Sequence, residues 1–264
     1  MIPRRGKRLR RRPWQELRAR RRQGIFLFPS LLTTGNLFCG FFSLLLAVDH
    51  RFTEAALVIL VAMIMDLLDG RVARLIKATS QFGVEYDSLA DVISFCVAPA
   101  FLLYAFALQP LGRAAWFGAF LFVVCGALRL ARFNVQTAAD RRFFVGLSTP
   151  AAAGVVASVV ILLGGNPPSQ TVRVAIAMAA YVLALRMVST FRYWSFKEVD
   201  FARRRPVETL LVVVLATMIV ATMHEIFLFL VFGGYALSGP LRRLVVGRPP
   251  AAALPEPIAG KDAQ

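Results

Sequence analysis

Histidine, cysteine and charge of either sign are scarce in this chain, and each scarcity removes a class of function. The two histidines among 264 residues, His50 and His224, stand isolated between hydrophobic segments. Histidine can act as a switch or a metal ligand, but these two read as solvated loop residues. The three cysteines, Cys39, Cys96 and Cys125, each sit inside an apolar run, and no pair has metal-ligand spacing. They read as small core hydrophobes, which sets aside a Cys/His metal cluster. Charged residues make up only 17% of the sequence against 58% hydrophobic, and mean hydropathy is +0.63. That is too apolar for a soluble protein of this size and suits a multi-pass helical membrane protein. No internal repeat is evident, which argues against an inverted-repeat transporter.

What charge there is leans basic, with 31 Lys and Arg and a net charge of +16. Eleven of these precede Gly24, and the rest fall mostly between hydrophobic runs. This is not the spread of a nucleic-acid-binding surface, and no nucleic-acid partner is expected. Residues 1–24 form a basic cytoplasmic or interfacial head. Pro13 can open a short helix there, with Trp14 and Leu17 on one side, lying on an anionic membrane surface; a basic tail obeying the positive-inside rule is the alternative. The apolar run that follows is long and lacks a small-residue cleavage site, unlike a cleaved secretory signal.

Hydrophobic runs follow at 31–48, 55–76, 89–108, 114–130, 151–163, 172–188, 207–223 and 226–238. The expected fold is all-α, a polytopic bundle of about eight transmembrane helices over residues 25–245, with a disordered cytoplasmic tail at 246–264. With a cytoplasmic N-terminus and eight spans, 28 of the 31 basic residues fall inside, and only Arg51, Arg113 and Arg173 fall outside. Such asymmetry is the positive-inside signal. It implies a cytoplasmic (inner) membrane protein with both termini and the stretch Asp66–Asp91 on the cytoplasmic side.

That stretch, DLLDGRVARLIKATSQFGVEYDSLAD, organises the chain. Ionisable groups at membrane depth are costly and are usually retained for a job. Asp66 and Asp69 are i,i+3 and share a helix face; Asp87 and Asp91 are i,i+4 and share a face of the next helix. Two such pairs facing each other make a cage of carboxylate oxygens, whose repulsion a hard divalent cation would relieve. Gly70 and Ala73 let another helix or a ligand approach the backbone. Arg74 is a permanent cation able to fork phosphate oxygens, and Ser80 adds a hydroxyl. Gly83 sits just before the next helix, whose N-terminus favours an anion. A metal-bridged pyrophosphate is the natural ligand. The competing reading pairs the carboxylates with Arg71, Arg74 and Lys77 as an interfacial salt-bridge network.

The pattern Asp66-x2-Asp69-Gly70-x2-Ala73-Arg74-x8-Gly83-x3-Asp87-x3-Asp91 resembles the full signature of the CDP-alcohol phosphatidyltransferase family, with no position missing. Members of that family move a phosphatidyl-type group from a CDP-linked lipid to an alcohol and release CMP. The resemblance implies that Asp66, Asp69, Asp87 and Asp91 bind Mg2+ or Mn2+, two cations in all. It implies that Ser30, Thr33, Asp69, Gly70, Ala73, Arg74, Ser80 and Gly83 contact the CDP-lipid, with Ser30 and Thr33 at its cytidine end. Asp91 would also be the general base, since an alcohol needs a base within hydrogen-bond reach. A homodimer is common among family members.

Four further segments, Phe28–Gly40, Asp87–Asp91, Gly126–Asn134 and Pro150–Gly154, are similar to the membrane-integral phosphatidylserine synthase branch of that family in bacteria and archaea. Ser30 and Ser148-Thr149 depart from the branch's usual Asn and Pro. The branch implies CDP-diacylglycerol and L-serine as substrates, with phosphatidylserine and CMP as products. Arg129, Arg132 and Asn134, at an inner helix end, are candidates to recognise the acceptor's carboxylate; Arg192 and Lys197 are weaker ones. Two other readings remain open at this stage: the same chemistry with glycerol 3-phosphate or an inositol phosphate, and a cation transporter with carboxylates along its path.

Overall fold

The computed structural model describes residues 13–75, 80–135, 146–189 and 225–239, with side chains from residue 30 onward. The expected run at 207–223, the tail at 246–264, and Lys77, Arg192 and Lys197 lie outside the described residues. Among the described residues all regular structure is helical: α1 (Pro13–Val48), α2 (Phe52–Leu75), α3 (Gln81–Leu111), α4 (Arg113–Val135), α5 (Thr149–Leu162), α6 (Gln170–Val188) and α7 (Glu225–Gly239). The helix that opens at Pro13 is not a short separate one. It continues unbroken for 36 residues, about 54 Å at 1.5 Å per residue. A bilayer core is about 30 Å thick, so only the apolar part, Ser30–Val48, is needed to cross it.

That apolar part, α3, α4 and α6 are long and apolar enough to span a membrane; α5 and α7 are apolar but shorter. α2 has the length but carries Glu54, Asp66, Asp69, Arg71 and Arg74. Large apolar side chains are exposed all over the bundle, among them Phe38, Phe41, Trp116, Phe117, Phe120 and Leu185. A water-facing surface does not carry so much contiguous apolar area; a lipid-facing one does. The protein is membrane-bound, and among the described residues it is all-helical, with four helices long and apolar enough to span.

α1 and α2 form a hairpin closed by a tight helix stop. The Arg51 N–H donates to the Leu46 carbonyl at 2.9 Å, and the His50 N–H to the Ala47 carbonyl at 3.2 Å. This double bond to the last turn places its penultimate residue in left-handed space, and His50 has φ 59. The isolated histidine is thus a helix stop, its ring edge-on to Phe52 at 5.6 Å. Arg51 then pairs with Glu54 in the first turn of α2.

On α1, Thr33, Asn36, Gly40 and Ser43 recur at a 3-4-3 spacing and all are buried. This small and polar stripe faces α2 and α3. Ser43 donates to the Ala55 carbonyl of α2 at 3.0 Å, and Ser94 of α3 donates to the Asn36 carbonyl at 2.9 Å. Gly40 makes the crossing possible: a Cβ there would sit 2.7 Å from the Ser94 Cα and overlap its hydroxyl. Gly40→Ala is therefore expected to lower the thermal unfolding midpoint in detergent. The overpacking cost of about 1–3 kcal/mol outweighs the roughly 1 kcal/mol that Ala gains over Gly inside a helix. A midpoint equal to or above the parent's would remove this close crossing.

α3 is not a regular α-helix. Val92–Val97 and Tyr104–Leu108 are π-helical, and Gln109–Leu111 is a 3-10 turn. Pro99 and Pro110 follow the two π stretches closely and supply no N–H to the ladder, so the helix widens rather than leaving carbonyls stranded. The first π stretch begins directly after Asp91. Such bulges are frequent at functional sites.

Candidate active site

Three helices bring the polar residues together. Asp66 and Asp69 lie on α2, and Asp87 and Asp91 in the first three turns of α3. One carboxylate oxygen from each of Asp66, Asp69 and Asp87 lies within 4.8 Å of the others. Asp69 is buried and accepts from the Thr33 hydroxyl of α1 at 2.8 Å. Asp91 is also buried, and its Oδ1 accepts from Asn36 Nδ2 at 3.1 Å. The four aspartates are therefore not equivalent. Three converge in one cluster, while the fourth, one turn further along α3, is steered by an amide from α1.

Among the described residues no Lys or Arg forms an ion pair with any of these carboxylates. Arg71 and Arg74, the partners of the salt-bridge reading, are exposed, and Arg74 Nε donates instead to the Gly70 carbonyl at 2.7 Å. Asp87 Oδ1 is buried with no hydrogen-bond partner. A lone buried acceptor among three converging carboxylates is costly unless something positive sits with it. Hard, oxygen-only donors at this spacing fit a hard divalent cation such as Mg2+ or Mn2+. On chemistry and geometry alike, the donor set suits the metal that the sequence implied.

The surroundings sort the other sequence-derived candidates. Among the described residues, an added Cβ at Gly70 would meet only the Arg74 guanidinium, at 3.9 Å, so no described helix packs on the backbone there. Gly83 does not precede α3; it is the third residue within it. Its N–H donates at 3.0 Å to Ser80 Oγ, which caps the helix. A Cβ at Gly83 would press on that cap at 3.1 Å. Ala73 and Ser30 are half-buried. Of the acceptor candidates, Arg132 is exposed, Asn134 donates to Ser88 Oγ at 2.9 Å, and Arg129 turns inward to Thr149 Oγ1 at 3.4 Å.

Asn36, Tyr86 and Thr149 are not among the site residues that the sequence singled out. Tyr86 shares a hydrogen bond of 2.9 Å with Thr34 of α1. A signal for Asn36 was present: a polar stripe at heptad-like spacing in an otherwise apolar helix. Thr149 entered the sequence reading only as a departure from the branch's pattern; its contact with Arg129 depends on α4 arriving beside it.

Residues 26–185 match the family model described as CDP-alcohol phosphatidyltransferase, a span that contains every aspartate of the cluster. The chain belongs to that family. Family membership makes it a phospholipid-biosynthesis transferase dependent on divalent cations, with the aspartate cluster able to hold metal. It is similar to the CDP-diacylglycerol--serine O-phosphatidyltransferase of Helicobacter pylori (strain ATCC 700392 / 26695), 37% identical over 83% of this chain and 92% of that one. The Bacillus subtilis enzyme of the same name is 32% identical over 64% of this chain and 91% of its own. The archaetidylserine synthase of Methanothermobacter thermautotrophicus is 42% identical over 49% of this chain and 56% of its own.

Proposed function

We propose that this chain transfers the phosphatidyl group of CDP-diacylglycerol to the hydroxyl of L-serine, giving phosphatidylserine and CMP. The observation that carries this reading is likeness to the Helicobacter pylori CDP-diacylglycerol--serine O-phosphatidyltransferase over 83% of this chain. The aspartate cluster supports it as the place of reaction.

In this reading Asp66, Asp69, Asp87 and Asp91 hold two divalent cations, Mg2+ or Mn2+. When bound, these neutralise the pyrophosphate and the departing CMP. Thr33 keeps Asp69 oriented. Ser30 and Thr33 meet the cytidine end. Gly70, the half-buried Ala73, the exposed Arg74, and Ser80 with Gly83 at the start of α3 line the path of the CDP-lipid. Asp91, steered through Oδ1 by Asn36, takes the proton from the serine hydroxyl. That oxygen bonds to the phosphorus bearing diacylglycerol, and the bond from phosphorus to CMP breaks, CMP leaving with the electron pair. The acceptor's carboxylate is read by the inner end of α4, where Arg129, Arg132 and Asn134 are the candidates.

The charge asymmetry of the sequence supports an inner-membrane enzyme with the site and both termini cytoplasmic. Acyl chains then stay in lipid while serine arrives from water. A homodimer belongs to the same reading.

CMP release by the purified, metal-supplied protein with a panel of alcohols tests the proposal. L-serine is expected to support turnover at least about tenfold above glycerol 3-phosphate or inositol phosphate, the scale of one lost charge-assisted contact. Turnover with glycerol 3-phosphate but not with serine would overturn the acceptor assignment.

A further inference from the structure

Asp69 and Asp91 are each aimed by a hydrogen bond from α1, the first from Thr33 and the second from Asn36. Asp87 has no such guide at its Oδ1, which is buried without a hydrogen-bond partner. Its direction therefore follows the rotation of α3, and the residues on either side of it are the ones tied to other helices. Tyr86 bonds to Thr34 of α1 at 2.9 Å. The Thr34 hydroxyl gives its one proton to the Ser30 carbonyl at 2.7 Å, so the phenol is the donor and Thr34 Oγ1 the acceptor. Ser88 is engaged in the mirror sense. Its hydroxyl donates to the Val84 carbonyl at 3.0 Å, and its oxygen accepts from Asn134 Nδ2 of α4 at 2.9 Å.

Helix geometry turns these two bonds into one constraint. Successive residues of an α-helix are rotated by about 100°, so Tyr86 and Ser88 point to opposite sides of the direction taken by Asp87. With the first tied to α1 and the second to α4, α3 is left one rotation. In that rotation Asp87 faces Asp66 and Asp69 of α2, with one oxygen of each within 4.8 Å of the others. The constraint has to be tight. A side-chain end lies about 5–6 Å from the helix axis, so a turn of about 10° moves it by about 1 Å, against a tolerance of roughly 0.2 Å for a metal–ligand distance. None of Tyr86, Thr34, Ser88 and Asn134 belongs to the acidic signature at residues 66–91.

We propose that the Tyr86–Thr34 and Ser88–Asn134 bonds form a two-sided clamp that sets the rotation of α3 and so aims Asp87 at the divalent cation. Tyr86, Thr34 and Asn134 are then positioning residues for metal binding. Asn134, an acceptor candidate by its place in the sequence, serves the cation in this assignment, because its amide is committed to Ser88. The proposal rests on the reading of the aspartate cluster as a metal site and deepens it.

The test titrates the full chain, purified in detergent and stripped of metal, with Mn2+, following the free ion by its electron paramagnetic resonance signal. Tyr86→Phe deletes only the hydroxyl and keeps the ring stacked on Phe82 at 6.0 Å. It is expected to weaken Mn2+ binding about fivefold, the scale of one neutral hydrogen bond, and Asn134→Ala is expected to do the same. CMP release by both variants should return close to the parent's once Mn2+ is saturating, with the KM for CDP-diacylglycerol unchanged. Tyr181→Phe is the matched control. Its hydroxyl bonds to the Ala114 carbonyl at 2.6 Å, at the opposite end of α4, about 30 Å from Asn134, and its loss should leave Mn2+ binding as it was. Parent-like Mn2+ binding in both Tyr86→Phe and Asn134→Ala would overturn the clamp, as would an equal weakening in Tyr181→Phe. A raised KM for serine in Asn134→Ala, with Mn2+ binding unchanged, would make Asn134 an acceptor ligand and remove that side of the clamp. A parent that binds no Mn2+, or an Asp66→Asn variant that binds it as the parent does, would instead overturn the metal reading on which the clamp rests.

Discussion

Asp91→Asn is expected to lower turnover by about 10²- to 10⁴-fold, the contribution typical of a positioned general base, while CDP-diacylglycerol binding stays close to the parent's. The substitution is nearly isosteric. Its Oδ1 can still accept from Asn36 Nδ2, the bond of 3.1 Å that steers this side chain, so the α1–α3 crossing should survive. What is lost is the ability to take a proton from the acceptor hydroxyl. The separation of Asp91 from the converging trio suits that role, because a carboxylate wholly committed to a cation is a poor base. Single-turnover CMP release together with equilibrium binding of the nucleotide lipid distinguishes the two effects. Turnover within tenfold of the parent would take the base role away from Asp91.

Chelation should produce the second large effect, and it should appear in stability as well as in activity. Three carboxylates with oxygens inside 4.8 Å repel one another when charged, by roughly 3 kcal/mol per pair at an effective dielectric of about 20. With EDTA, turnover is expected to fall to background. Adding back Mn2+ at about 100 times its dissociation constant should stabilise the fold by about 2.7 kcal/mol, read as a rise in unfolding midpoint. Asp87→Asn should separate structure from chemistry. Removing one charge, at the atom left without a partner, is expected to raise the metal-free midpoint. The same change should abolish the metal-induced rise and turnover. A midpoint that responds to Mn2+ equally in parent and variant would show that the cation binds elsewhere.

Much of the site could be read without coordinates because its logic is local. Helical periodicity alone puts Asp66 with Asp69 and Asp87 with Asp91, and the cost of charge in an apolar setting marks them as functional. The competing salt-bridge network required arginine side chains to fold back on the carboxylates. Arg74 instead reaches the Gly70 carbonyl, one turn away on its own helix. Gly83 was misplaced by a few residues because a Ser cap lets a helix begin earlier than its apolar pattern does. The apolar pattern of residues 89–108 gave an ordinary span, and only the structure shows Pro99 lying between two π-helical stretches.

The sequence by itself determined that this is a helical membrane-bound protein, where its apolar runs fall, and which acidic pairs share a face. Each of those properties is set by neighbours within a turn or two along the chain. Tertiary structure alone decided that three aspartates converge while the fourth is held by Asn36, that Gly40 sets the crossing that brings them there, and that Arg129 rather than Arg132 faces inward. These outcomes depend on contacts between residues tens of positions apart, where the approach of one helix to another is fixed by side-chain volume and by the need to satisfy buried polar groups, and no spacing along a single helix encodes that.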